Sequence, residues 1–573
     1  LVEIAKAPVE EQNADMDNVN LPQVNAFNCI KTIFVDAALS EESIHYVDEA
    51  FALTLNSFAS PFWAIRNCAV MMFTALQNSL FSSKKVKANY LPSYSARRFF
   101  EKFDSIHGLF LSSLQESVAK GLENQTEIEK VFPILTIMSR LEPTTSYKGL
   151  DAFIPIMLQI LESRTWKVRE MAARSIPSMI DNSDKFSTII GYLIDNISED
   201  SRDFNRMHGS LLAIREMILK FQALSSDESS ETVDKLFEHG NITRSAILSK
   251  LTLVLNQINC YPIKHVYFQV LAILDVSEAD SSALSETLLQ WFNTENVIAS
   301  KLDGSKQLAL RELSTLLFRL YPVSSQLISC TLLSPLYEVQ LSCIEHHELI
   351  LESLPTATIS LLIENVWKLL ESETVWVHVR SQALKLLTKL IVASSEVDSD
   401  EKLEVYTTKL MKMLEINGNY DLRLSIVEAV GSYIARLMIH GGAKHLALYN
   451  HWVAKVEGMF GDNEEVVVRV AALKSMVAFN ELYSQYGDDE KIKFQIMSYI
   501  FEFLMDDDES ISNIASRHLN RYILTTEGDV LPVITEKLMV EHYCSFNTEL
   551  LELLVSNERL NFFDRSVKLC DLV

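Results

Sequence analysis

The chain has 573 residues, with 51 lysines and arginines against 76 aspartates and glutamates, a formal charge of −25. That balance repels nucleic acid and anionic membrane over the molecule as a whole, so any contact with RNA has to be local. At 48% apolar residues with only 15 glycines and 13 prolines, disorder and a string of loop-rich compact domains are both disfavoured, and the length points to a quasi-linear repeat array.

The longest apolar stretches, such as the one ending in His265–Leu274, fall short of the roughly 18 to 20 residues a membrane span needs. Seven cysteines (Cys29, Cys68, Cys260, Cys330, Cys343, Cys544, Cys570) never form Cys-x-x-Cys. That predicts a reducing, cytoplasmic setting without a disulfide framework. The opening Leu1-Val2-Glu3, with neither Met nor signal segment, is expected of a piece of a longer polypeptide.

In chain order, residues 1–20 read as a flexible acidic lead-in. Ser60-Pro61 marks a helix start, an N-cap followed by proline at the first helical position. A recurring frame follows: an apolar residue, then Arg, then a small residue three places on. Ile65-Arg66…Ala69, Val168-Arg169…Ala172, Val379-Arg380…Ala383 and Val468-Arg469…Ala472 carry it, and Leu422-Arg423…Ile426 and Ile511-Ser512…Ala515 carry a weaker form. Positions outside the frame test it. Eight residues after the anchor stand Phe73, Ile176, Leu387, Val430, Met476 and Leu519; eleven after it stand Leu76, Met179, Leu390, Tyr433, Phe479 and Tyr522.

Offsets of 0, 4, 8 and 11 trace one stripe on a helix of 3.6 residues per turn. The later anchors, at 379, 422, 468 and 511, recur at 43, 46 and 43 residues, the period of HEAT or armadillo helix pairs. The expected fold is therefore all-α, a HEAT/armadillo-like α-solenoid of stacked antiparallel helix pairs. Its repeated Arg is expected to ladder with carboxylates of the neighbouring repeat. Acidic residues ahead of the anchor, as in Asp462-Asn463-Glu464-Glu465, suit helix N-termini. Polar stretches at 225–235 and 393–404 are predicted loops.

Chemistry is sparse. Neither a Gly-x-Gly-x-x-Gly nor a Gly-x-x-x-x-Gly-Lys-Ser/Thr occurs, so no cofactor is expected. Gly441-Gly442 reads as a helix-to-helix turn. Cys343-Ile344-Glu345-His346-His347 lacks a second ligand cluster and reads as ordinary helix surface, with no metal.

Two local anomalies stand out. Between Lys84 and Lys102, six cations (Lys84, Lys85, Lys87, Arg97, Arg98, Lys102) meet one anion, Glu101, and Tyr90 and Tyr94 flank Pro92. Cations beside aromatic rings suit phosphates and unpaired bases. The other reading is a solvated loop followed by a helix whose Phe99, Phe100 and Phe103 are core. The second anomaly is Asn205-Arg206-Met207-His208-Gly209, where a helical glycine, about 1 kcal/mol worse than alanine, marks a close approach. Asn205, His208 and Gly209 share one face, through tight helix packing or partner binding.

Ser60-Pro61-Phe62-Trp63-Ala64-Ile65-Arg66-Asn67, running on to Met72-Phe73-Thr74-Ala75-Leu76, resembles the signature helix of the THADA (thyroid-adenoma-associated) family. Trp166-Lys167-Val168-Arg169-Glu170-Met171-Ala172-Ala173-Arg174 and Asn205-x-x-His208-Gly209-x-Leu211-Leu212 resemble that family's next two blocks, in order. The resemblance covers residues 21–225 and leaves 226–573 as divergent C-terminal HEAT-like repeats. It departs at Ser79-Leu80-Phe81-Ser82, where the family has Arg-x-Phe-Gly.

What the resemblance implies is a non-catalytic subunit that binds and positions tRNA. A separate S-adenosylmethionine-dependent methyltransferase subunit would then methylate the ribose 2′-O of nucleotide 32 in the anticodon loop, as with the fungal members. Trp63, Arg66, Asn67, Arg169, Asn205, His208 and Gly209 would be partner-binding or structural positions. The alternative is a general protein-binding scaffold, a transport adaptor or a calcium-pump regulator, as animal relatives suggest.

Overall fold

A computed structural model describes residues 1–9, 20–81, 94–144, 147–198, 203–225, 240–274, 278–297, 303–393, 400–416, 419–461, 463–503 and 506–524. Every anchor lies in the first turn of a helix: Trp63–Phe81, Trp166–Ser175, Val377–Ala393, Tyr420–Gly441, Val466–Tyr486 and Glu509–Leu524. The stripe points inward as its period requires. Ile176, Leu387, Val430, Met476, Leu76, Met179, Leu390, Tyr433 and Phe479 are all at most 2% exposed, and Phe73 is partly so. Pro177, which has no N–H to give, turns the end of the second of these helices into a 3-10 segment, Ile176–Met179.

The chain divides into two compact units, Leu1–Trp291 with Gly304–Leu316, and Phe292–Asp303 with Leu317–Val573. In the first, Pro22–Val35 and Val47–Ser57 pack on Trp63–Phe81, Gln125–Met138 and Phe204–Ser225 on Trp166–Ser175, and Tyr261–Ile273 on Phe204–Ser225. In the second, the four anchor helices pack each against the next, backed by Thr356–Glu371, Asp400–Ile416, Leu446–Glu457 and Glu490–Glu502. Helix pairs stacked in this way are the all-α solenoid read from the sequence.

Successive anchor helices of the second unit run parallel, and Tyr420–Gly441 and Val466–Tyr486 are also in register. Lys474 Nζ meets Glu428 Oε1 at 2.9 Å, each the ninth residue of its helix, and Thr388 Oγ1 donates to Tyr433 Oη at 3.4 Å. The contact is backbone-close at Gly431, where a Cβ would lie 2.0 Å from Ser475 O. Gly209 stands equally tight in the first unit, where a Cβ would lie 2.1 Å from Leu161 O. Asn419 opens the Tyr420–Gly441 helix by accepting from Leu422 N (3.2 Å), and Gly442 closes it at φ +48°, the turn expected of the glycine pair.

Several boundaries differ from expectation. The lead-in begins as a helix, Val2–Lys6, with Ala5 buried. The first signature helix starts at Trp63 and not at Pro61, because the Ser60 hydroxyl closes a turn by accepting from Phe62 N (3.3 Å). Residues 400–404 belong to a helix, Asp400–Ile416, whose acidic first turn favours the dipole.

The repeated Arg departs most. Arg66 Nη1 donates to Ser60 O (2.7 Å) and Pro61 O (2.9 Å); Arg169 Nη1 donates to Ser163 O (2.6 Å) and Arg164 O (3.0 Å), six and five residues back in both cases. Arg380 Nε donates to Leu370 O (3.0 Å). Among the described residues, only Arg469 of these four anchors reaches carboxylates of the next repeat, Asp506 (2.8 Å) and Asp507 (2.9 Å). The carbonyls that end one helix and form the turn to the next have no intrahelical partner, and a guanidinium at the start of the next helix is within reach of them.

Arg169 gathers more. Its Nη1 also donates to Asn205 Oδ1 (2.9 Å) and its Nε to His208 Nδ1 (3.3 Å). Burial, and the Arg169 charge beside it, hold His208 neutral with a pKa lowered to about 4.

Gly431→Ala is expected to destabilise the second unit by roughly 1 to 3 kcal/mol, since the new methyl meets backbone. Gly108→Ala, with nothing within 4 Å of its Cβ, should be neutral or stabilising; urea unfolding of both variants checks this. His208 predicts a pH signature. The unfolded imidazole titrates near 6.5 and the folded one about 4, so its contribution is full above about pH 6.5. It is lost as pH falls toward 4, by up to about 1.4 kcal/mol per unit. The stability difference between wild type and His208→Gln should shrink over that window, and a difference independent of pH would contradict a neutral His208.

Candidate nucleic-acid interface

Of the basic stretch, Lys84, Lys85, Lys87 and Tyr90 lie outside the described residues, whereas Tyr94, Arg97, Arg98 and Lys102 are placed. Ser95 caps the Ala96–Lys102 helix by accepting from Arg98 N (3.3 Å). Its apolar face goes inward: Phe99, Phe100 and Phe103 are at most 3% exposed, and Phe100 meets Phe110 and Phe153 at ring-centroid distances of 6.5 and 6.3 Å. That face is core, as the plainer of the two sequence readings had it.

The other face is cationic. Arg98 and Lys102 are exposed. Half-exposed Arg97 lies 5.8 Å from the Tyr147 ring and 3.8 Å from Glu101. Tyr94 is partly committed to packing, edge-on to Phe81 (5.9 Å) and Phe99 (6.5 Å).

Sequence reasoning missed Arg140. A two-residue parallel pairing, Tyr94 with Leu141 and Ser95 with Glu142, brings it alongside Tyr94, with its guanidinium 5.3 Å from the Phe81 ring. A lone Arg behind a helix carries no mark in the sequence; only that register exposes it. Arg97, Arg98, Lys102 and Arg140, with Tyr94 and Tyr147, can thus offer point charges and ring faces to a phosphate backbone and its bases.

The motif residues converge on a second feature. Trp63, Arg66, Asn67 and Val70, on one helix wall, line a groove of about 760 Å³ together with Ile128 and Phe132 and with Lys167 and Val168 of the second block. Trp63 is 42% exposed. Gln77, on the same wall, has a side-chain nitrogen without a hydrogen-bond partner among the described residues. The second block meets the third through Arg169, Asn205 and His208. Segments distant in sequence are therefore joined pairwise, the first two by the groove and the last two by the arginine.

The Cys343–His347 segment is helix surface only at Glu345 and, in part, His346. Cys343 and His347, four apart on the helix Tyr337–Leu349, are fully buried, and the His347 Nδ1 lies 2.7 Å from Cys343 O. Burial raises the Cys343 thiol to about 12 and lowers His347 to about 4, so both are uncharged. Among the described residues no cluster of three His, Cys, Asp or Glu side chains could hold a metal, and no helix is long and apolar enough to cross a membrane.

Comparison with known proteins agrees with the motifs. Residues 1–64 match the family described as THADA/TRM732, DUF2428, and residues 66–217 match that described as Trm732, C-terminal TPR repeats. The tRNA (32-2′-O)-methyltransferase regulator trm732 of Schizosaccharomyces pombe is 27% identical over 564 residues, 92% of this chain and 36% of that protein. The tRNA (32-2′-O)-methyltransferase regulators THADA of Mus musculus and Homo sapiens are 28% and 27% identical over 50% and 49% of this chain, and 15% of each of theirs. The chain thus spans little more than a third of the first relative and far less of the others. A chain from the structure of Kap95p with RanGDP covers 95% of this one, and is itself covered to 71%, at 11% identity and a TM-score of 0.44. Two adjoining regions of the THADA/Trm732 family are thus matched in order over the first 217 residues of this chain.

Proposed function

We propose that this chain is part of a non-catalytic regulator of tRNA methylation, one that binds tRNA and holds its anticodon loop. A separate S-adenosylmethionine-dependent subunit would modify the ribose 2′-O of nucleotide 32. The names of the relatives support the regulatory part. The observation that carries the tRNA part is the cluster of Arg97, Arg98, Lys102 and Arg140 beside Tyr94 and Tyr147, on a chain whose net charge is −25. On such a chain phosphate is repelled almost everywhere else, so a cationic face is informative. A cytoplasmic setting goes with this reading.

Replacing Lys84, Lys85, Lys87, Arg97 and Arg98 together by Ala should weaken tRNA binding, with the salt slope falling by about 0.7 to 0.9 for each phosphate no longer neutralised. Methylation by the complex with the catalytic subunit should fall in parallel. Co-purification with that subunit should persist, because no apolar surface has been removed. Filter binding at a series of salt concentrations is the direct measurement. An unchanged affinity and slope would instead favour a protein-binding scaffold with RNA held elsewhere.

A further inference from the structure

The second unit has a surface that the proposed tRNA reading does not involve. Large apolar side chains stand in solvent at the N-terminal ends of its anchor helices: Trp376 is 58% exposed, Tyr420 42%, Val466 37% and Val467 49%. They form one row, because the helices that carry them run parallel with nearly the same offset between facing residues. The ends themselves touch: Tyr420 Oη donates to the Glu465 carboxylate, and Arg469 bridges on to Asp506 and Asp507 before the next helix. At the other end of the row the Trp376 indole lies flat on the Tyr337 ring, centroids 4.4 Å apart and planes within 1°. That stack fixes the indole while leaving more than half of it in water.

Charge says what would cover this row. The exposed acids between its members are Glu373, Asp421, Glu464, Glu465, Asp507 and Glu509. Of the nearby basic groups, Arg469 is buried and spent on Asp506 and Asp507, Arg380 is buried with its Nε on Leu370 O, and Arg423 and His378 are exposed. Carboxylates interleaved with aromatic faces repel a phosphate backbone. They suit guanidinium and ammonium groups, which pair with carboxylate and lie over rings, at about 0.5 to 1 kcal/mol for an exposed cation–π contact. Spacing adds a constraint. Packed helices stand about 8 to 10 Å apart, and a peptide extended as polyproline II advances about 3.1 Å per residue with three residues per turn, so every third residue faces the row and meets successive repeats.

We propose that this edge docks an extended basic segment of a partner protein, with one arginine or lysine per repeat at a spacing of about three residues. The proposal is independent of the tRNA reading, and its test does not involve methylation.

The probe is a fluorescein-labelled peptide repeating Arg-Leu-Ser four times, titrated with the full chain and followed by anisotropy. Trp376→Ala with Tyr420→Ala should weaken binding about tenfold, the size of two exposed cation–π contacts. Both side chains are exposed, so helicity and thermal midpoint should hold. Glu373→Lys with Glu464→Lys removes no apolar surface and keeps the test alive if the aromatic variant misfolds; it should weaken binding similarly and flatten the salt dependence. A peptide of the same composition with its arginines clustered should bind more weakly. Unchanged affinity in the charge variant, or in a folded aromatic variant, overturns the proposal. So does a single-stranded oligoribonucleotide that binds wild type and no longer binds the aromatic variant, since the row would then be a stacking platform for bases.

Discussion

Each turn between stacked helices leaves backbone carbonyls without a partner, and the order of the stack depends on where those groups find one. At Arg66 and Arg169 the solution is the same to the residue: a guanidinium from the first turn of the incoming helix closes on carbonyls five and six positions earlier. This ties the direction of the turn to the direction of the helix. One nitrogen, Nη1, holds both carbonyls in each case, and at Arg169 this leaves Nε for His208, a second donor that the single nitrogen of a lysine does not have. Once Arg169 is fixed, Asn205 and His208 of the next long helix have a defined place to bond.

The repeat frame was legible because it is a matter of period. Apolar residues at 0, 4, 8 and 11 can only be buried together on a helix, and Leu387, Val430 and Met476 are buried as the stripe demands. Partners were less legible than positions. A carboxylate ladder was a reasonable expectation for an arginine in an acidic chain, yet a carbonyl has no sequence signature and three of four anchors chose carbonyls. Arg140 and the Trp63 groove share the difficulty, since each is assembled from stretches tens of residues apart. Cys343 and His347 were misplaced on the surface although their spacing of four already put them on one face. Gly209 announced its close approach because a helical glycine is conspicuous. Gly431 makes the same approach to Ser475, but sits between Val430 and Ser432 where nothing drew attention to it.

Charge is distributed to a purpose in each unit taken by itself. The first carries cations on a short helix whose opposite face is a phenylalanine core. The second carries acids at the starts of its helices, where they also complement the unpaired N–H groups. A strongly acidic protein can therefore present a basic face without contradiction, because screening limits the reach of either sign to about 8 to 10 Å at ordinary ionic strength.

The in-register stacking within the second unit bears on how such a chain can change over time. Inserting one residue within the Tyr420–Gly441 helix would turn everything beyond it by about 100°. Glu428 or Gly431 would then swing away from Lys474 and Ser475, opposite which they now stand. The same insertion in a connecting turn would leave every facing pair in place. Length variation should accordingly collect in the turns, and side chains on the outer face are free to drift as long as the stripe, the glycine and the joint are kept. A solenoid of this kind can lose recognisable sequence over hundreds of residues and still hold its helices in the same order and at the same pitch.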